Sequence, residues 1–62
     1  MTTFEKVLQK SKEDGRSLAS VSLEAGLSRD TVLKWKESDP TAKNLKAVAD
    51  VLNVPITDLI GD

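Results

Sequence analysis

Arg29, Asp30, Leu33 and Lys34 crowd into the stretch SRDTVLKW, Ser28 to Trp35. Together they offer a planar fork of donors, a carboxylate acceptor, an apolar tip and a mobile ammonium. These groups recognise hydrogen-bonding edges and charge; making and breaking bonds calls for others. The chain has no histidine and no cysteine, so it lacks the commonest general base and any thiolate nucleophile or metal ligand. It carries no phosphate-cradling glycine loop either, and a lone pair of carboxylates does not make a site. The expectation is a protein that binds rather than an enzyme, with no metal, no cofactor and no small-molecule ligand.

Charge is distributed unevenly. The net charge is −1, a mild mismatch with nucleic-acid modules, which are usually basic. Residues 1 to 27 balance to zero. Residues 28 to 46 hold Arg29, Lys34, Lys36, Lys43 and Lys46 against Asp30, Glu37 and Asp39, while from Ala47 onward the only charges are Asp50, Asp58 and Asp62. The middle is basic and the end acidic.

The elements that must position these groups are legible from caps and periodicity. With 62 residues the chain makes one domain, spanning 1–62, that buries about 60% of the surface its unfolded form exposes. Thr2 and Glu5 form a capping box ahead of Phe4, Val7 and Leu8, which predicts a first helix over Thr3 to Asp14, stopped by Gly15. Ser17 caps a second helix with Leu18, Val21, Ser22 and Ala25 on its inner stripe. Gly26 falls one place past its end, where a left-handed residue closes the helix and only glycine takes that shape without strain. Ser28 then caps a third helix, Arg29 to Glu37, with Val32 and Trp35 inward. At 100° per residue Asp30, Leu33, Lys34 and Glu37 face out, and Arg29 leads. Pro40 breaks that helix and Thr41 caps a fourth, Ala42 to Leu52, whose inner face is Ala42, Leu45, Val48, Ala49 and Leu52. Asn53, tolerant of left-handed geometry, ends it. Pro55 opens a last helix through Ile60, and Gly61 closes it. The fold class is all-α, with five helices and no strand pattern.

The stretches SLASVSLEAGLSRDTVLKW and NLKAVADVLNVPITDLIGD resemble the DNA-binding domain of the lambda-repressor-like, or XRE-type, helix-turn-helix regulators, and most of all the amino-terminal domains of phage-type repressors. Ala25, Gly26, Leu27 and Ser28 match that family's turn, Val21, Val32 and Trp35 its buried positions, and PITDLI its final helix. The resemblance covers the chain end to end and implies a compact five-helix domain whose helices two and three form the helix-turn-helix.

It also implies double-stranded DNA as the partner, with the third helix in the major groove. Arg29, Asp30, Leu33 and Lys34 are then the base contacts: Arg29 forks onto a guanine, Asp30 accepts from a cytosine amino group, Leu33 meets a thymine methyl and Lys34 reaches guanine or phosphate. Arg16, Ser17, Ser28, Lys36, Lys43 and Asn44 hold phosphates. Ile56, Leu59 and Ile60 are more apolar than a short helix needs for docking, so a homodimer through the C-terminal helix is expected, reading a palindromic operator as a repressor does.

The chain departs from the family pattern in three places. Ser22 replaces a small alanine, Leu18 replaces a residue that is often polar, and the link from Trp35 to Pro40 is short, with Glu37 and Asp39 beside it. The near-neutral charge and the outward Asp30 and Glu37 favour a second reading, a protein-interaction module of the same fold, antirepressor or antitoxin-like, with weak or no DNA binding. Met1 to Gly15 is too charged for a signal peptide and no apolar run is long enough for a membrane span. A cytoplasmic, cysteine-free protein is the expectation.

Overall fold

Thr2 starts the first helix as the spacing predicts. Its hydroxyl accepts from the Glu5 amide at 3.2 Å, and the Glu5 carboxylate accepts from the Thr2 amide at 2.9 Å. Two of the amides that the first turn leaves without a helical partner are thereby satisfied. In the computed structural model, which describes residues 1–60, this helix is α1, Thr3–Glu13. It is followed by α2, Leu18–Glu24, and α3, Ala42–Leu52, and two short 3₁₀ turns, η1 at Leu33–Lys36 and η2 at Ile56–Asp58, complete the order α1, α2, η1, α3, η2.

The same device closes all three α-helices. Gly15 (φ 72°) and Gly26 (φ 79°), each one place beyond the cap, and Asn53 (φ 58°), the cap itself, turn left-handed. In each case the next amide reaches back five residues: Arg16 to the Ser11 carbonyl at 2.8 Å, Leu27 to Ser22 at 2.9 Å, Val54 to Ala49 at 3.1 Å. Carbonyls that the helix ends would leave unpaired are taken up, and the chain reverses sharply at each corner.

Those corners fold the elements around one core of Phe4, Val7, Val21, Val32, Trp35, Leu45, Val48, Ala49, Leu52 and Leu59. Leu8, Leu18, Ala25, Leu27 and Ile56 pack at its margin, so Leu18 serves the core, as its apolar character requires. Ser11 and Ser22 are fully buried. Each donates its hydroxyl to a carbonyl of its own helix, Ser11 to Leu8 at 3.0 Å and Ser22 to Leu18 at 2.9 Å, which lets a small polar side chain sit where two helices approach.

Several expectations are corrected. Three α-helices stand where five were expected. The third segment is not an α-helix over Arg29 to Glu37: residues 29–32 form a turn and only Leu33–Lys36 is helical, in the 3₁₀ form. The last helix shrinks to the single 3₁₀ turn Ile56–Asp58, and Gly61, its expected closer, lies outside the described residues together with Asp62. Ala42 is exposed rather than inward, because α3 begins beyond the edge of the core. Leu59 is 0% exposed. It fills the space between η2 and α3, so it cannot also serve as a dimer surface; of the three residues expected there, Ile56 is half-buried and only Ile60 is largely open.

Candidate nucleic-acid interface

Ser17 opens this region by accepting from the Ser20 amide at 3.1 Å, which starts α2. Val21 and Ser22 bury the inner face of α2, and Gly26 turns the chain toward Ser28. From there Val32 and Trp35 drop into the core. They anchor the segment from below, and Arg29, Asp30, Leu33, Lys34 and Glu37 are left exposed. The four side chains assigned to base contact thus share an open surface above two buried anchors.

The backbone there is wound tightly. Thr31 bonds the Ser28 carbonyl at 3.1 Å, Trp35 the Val32 carbonyl at 3.0 Å, and the Lys34 amide is shared between Asp30 and Thr31, both at 3.2 Å. Three-residue closures dominate, as in a 3₁₀ helix. At the far end the Lys34 carbonyl collects the amides of Glu37 and Ser38, both at 3.1 Å, and ends the winding before Pro40. Ser28 does not cap in the expected way: its hydroxyl pairs with that of Thr31 at 2.6 Å, and η1 has no side-chain cap.

The residues assigned to phosphates fall into two groups. Lys43 is exposed in the first turn of α3, beside half-buried Asn44, whose amide donates to Thr41 at 3.2 Å. Ser17 and Ser28 are exposed as well. Arg16 and Lys36 are otherwise engaged. Arg16 bridges Asp14 at 2.7 Å and Glu24 at 2.5 Å, tying the corner after α1 to the end of α2; its guanidinium must leave two carboxylates to hold a phosphate. Lys36 sets its ammonium over the Phe4 ring, 5.4 Å from the centroid. Neither partnership is visible in sequence spacing.

A family model described as helix-turn-helix matches residues 7–59. The chain belongs to the lambda-repressor-like, XRE-type helix-turn-helix family. It is a DNA-binding regulator in that general sense, of a family that is typically non-enzymatic. No curated protein matches it. The matched span takes in α2, the Gly26 corner and the wound segment 28–36. Among the described residues no cluster of carboxylates suits a metal ion, and no helix is long and apolar enough to cross a membrane.

Two residues escaped the sequence reading. Ser11 is buried, but a serine on a helix next to Lys10 and Lys12 gives no outward sign of it. Thr31 controls the Ser28 hydroxyl, and the signal was available: two hydroxyl residues three apart in a helical path lie side by side.

Proposed function

We propose that this helix-turn-helix protein is a sequence-specific transcriptional regulator, repressor-like, that lays segment 28–36 in the major groove and acts as a dimer on a palindromic operator. The observation that carries the reading is the exposure of Arg29, Asp30, Leu33 and Lys34 together, above Val32 and Trp35 fixed in the core. Anchored from below, these side chains are turned outward, where base edges can be met. Arg29 and Lys34 suit guanine, Asp30 a cytosine amino group and Leu33 a thymine methyl. Lys43, Asn44, Ser17 and Ser28 border the same face as phosphate contacts, with Arg16 and Lys36 joining when DNA displaces their present partners. Ile60, with the margin of Ile56, is the apolar surface left for a second copy.

Selection of bound sites from random DNA, followed by titration of the selected and a scrambled site at several salt concentrations, tests the reading. A selected palindrome bound at least about a thousandfold more tightly than the scrambled site supports it. Equal and barely measurable binding of both, even at low salt, favours the protein-interaction module, for which exposed Leu23 and the exposed acids Asp30 and Glu37 are the supporting observations.

A further inference from the structure

The reading segment starts at Ser28, a residue type that caps helices, but its hydroxyl is turned to the Thr31 side chain rather than to an amide. An N-cap serine accepts the amide of the residue two or three places on. Here the Thr31 amide goes to the Ser28 carbonyl at 3.1 Å, and the Ser28 and Thr31 hydroxyls hold each other at 2.6 Å. Ser17 and Thr41, at the other internal helix starts, show the alternative: each accepts the amide three places on, at 3.1 and 3.2 Å, and a full α-helix follows. Of these three starts only Ser28 pairs with a hydroxyl, and only it is followed by a turn and a 3₁₀ winding in place of an α-helix.

Winding decides which side chains line up. At three residues per turn Arg29 falls in one row with Val32 and Trp35, the anchors of the core, while Asp30 lines up with Leu33 and Lys36. At 3.6 per turn Arg29 moves above Leu33, and Asp30 above Lys34, one continuous face. The contact of Lys36 with the Phe4 ring at 5.4 Å tethers the far end of the segment.

We propose that Thr31 is a positioning residue: by occupying the Ser28 hydroxyl it holds segment 28–36 wound tighter than an α-helix in the free protein, and docking on DNA rewinds the segment into an α-helix capped by Ser28. The second half rests on the DNA-reading function proposed above. Thr31→Val keeps the branched shape of a half-buried side chain and removes only the hydroxyl, so it frees Ser28 to cap. Ser28→Ala removes both the hydroxyl pair and the cap.

The test is NMR on the full chain, reading contacts between each Hα and the amides two and four residues on across 29–36, together with affinity for the selected DNA. The free parent and Ser28→Ala are expected to show the two-residue contacts, and free Thr31→Val and the DNA-bound parent the four-residue ones. With one cap gained before binding, Thr31→Val should bind about fivefold more tightly with its base preference unchanged. Four-residue contacts already present in the free parent, or a Thr31→Val pattern identical to the parent's, overturn the proposal. Rewinding in free Thr31→Val with no DNA bound by either protein supports the role of Thr31 while overturning the DNA-reading function.

Discussion

Replacing Gly26 by alanine isolates the contribution of one backbone conformation. Gly26 has φ 79°, and a Cβ built on it meets no atom within 4 Å. Steric clash therefore plays no part, and the cost is the intrinsic penalty of a left-handed L-residue, about 1–2 kcal/mol. A domain of this length is stable by roughly 3–9 kcal/mol at the usual per-residue range, so that penalty is a sizeable share. The expected fall in Tm is about 5 to 15 °C, at about 4–8 °C per kcal/mol in so small a domain. Gly26→Val should lose more, because a branched side chain adds rotamer restriction to the strain. Gly26→Asn should lose least, since Asn53 already fills the equivalent place after α3 at φ 58°. Thermal melting by circular dichroism gives the order. Alanine within about 2 °C of the parent would mean that Gly26 is not left-handed in solution, whereas an asparagine variant worse than the valine one would show that something other than φ governs the corner.

Trp35→Ala should cost about 3 kcal/mol or more, since the indole is almost wholly buried in the core; indole emission already at the wavelength of free tryptophan in the native protein would contradict that burial. Arg29→Ala should lose about 1–3 kcal/mol on the selected site and relax one base pair, and equal losses on scrambled DNA would make Arg29 a phosphate anchor instead. Lys43→Ala should weaken all sequences alike and lower the salt slope by about one ion per subunit, which titration at several salt concentrations reads directly. The Glu5 carboxyl is held below its ordinary value of 4.5, first by the Thr2 amide and then by the Thr2 hydroxyl. A depressed acid stabilises the fold above its unfolded pKa and loses that contribution as pH falls through the folded one. Stability should therefore decline in acid below about pH 4.5, and less so in Glu5→Ala; identical pH profiles would show that the box contributes nothing.

The corners of this fold were legible because each rests on a residue with a distinctive backbone: two glycines and an asparagine, all found left-handed. The capping box was legible for the same local reason. The pitch of the reading segment was not. Val32 and Trp35, three apart, sit on one face at 3.0 residues per turn and at 3.6 alike, and with no third apolar residue on that face the two cannot be told apart. What decides is whether one hydroxyl binds an amide or its neighbour, and that lies below the resolution of a hydrophobic pattern. Leu59 was misread for a related reason. Three apolar residues in the last segment looked like too many for docking, yet a 3₁₀ turn brings Leu59 round into the core, where α3 leaves room for it.

The charge pattern gains meaning once partners are assigned. Of the five bases between residues 28 and 46, Lys46 is paired with Asp50 at 3.0 Å and Lys36 lies on Phe4. Arg16, nearest in space to the start of α2, is held by two acids. Arg29, Lys34 and Lys43 remain exposed with no salt bridge among the described residues. Three open cations on this stretch give little of the sequence-independent attraction on which strongly basic binders rely. Asp30, Glu37 and Asp39 reduce it further by repelling phosphates that are not placed to avoid them. In the function proposed above, a chain so composed would hold non-specific DNA poorly and depend on the fit of a few side chains to base edges, repeated by symmetry in a second copy. Low net charge and an exposed, core-anchored reading segment are in that sense two aspects of one design, in which discrimination comes at the expense of raw affinity.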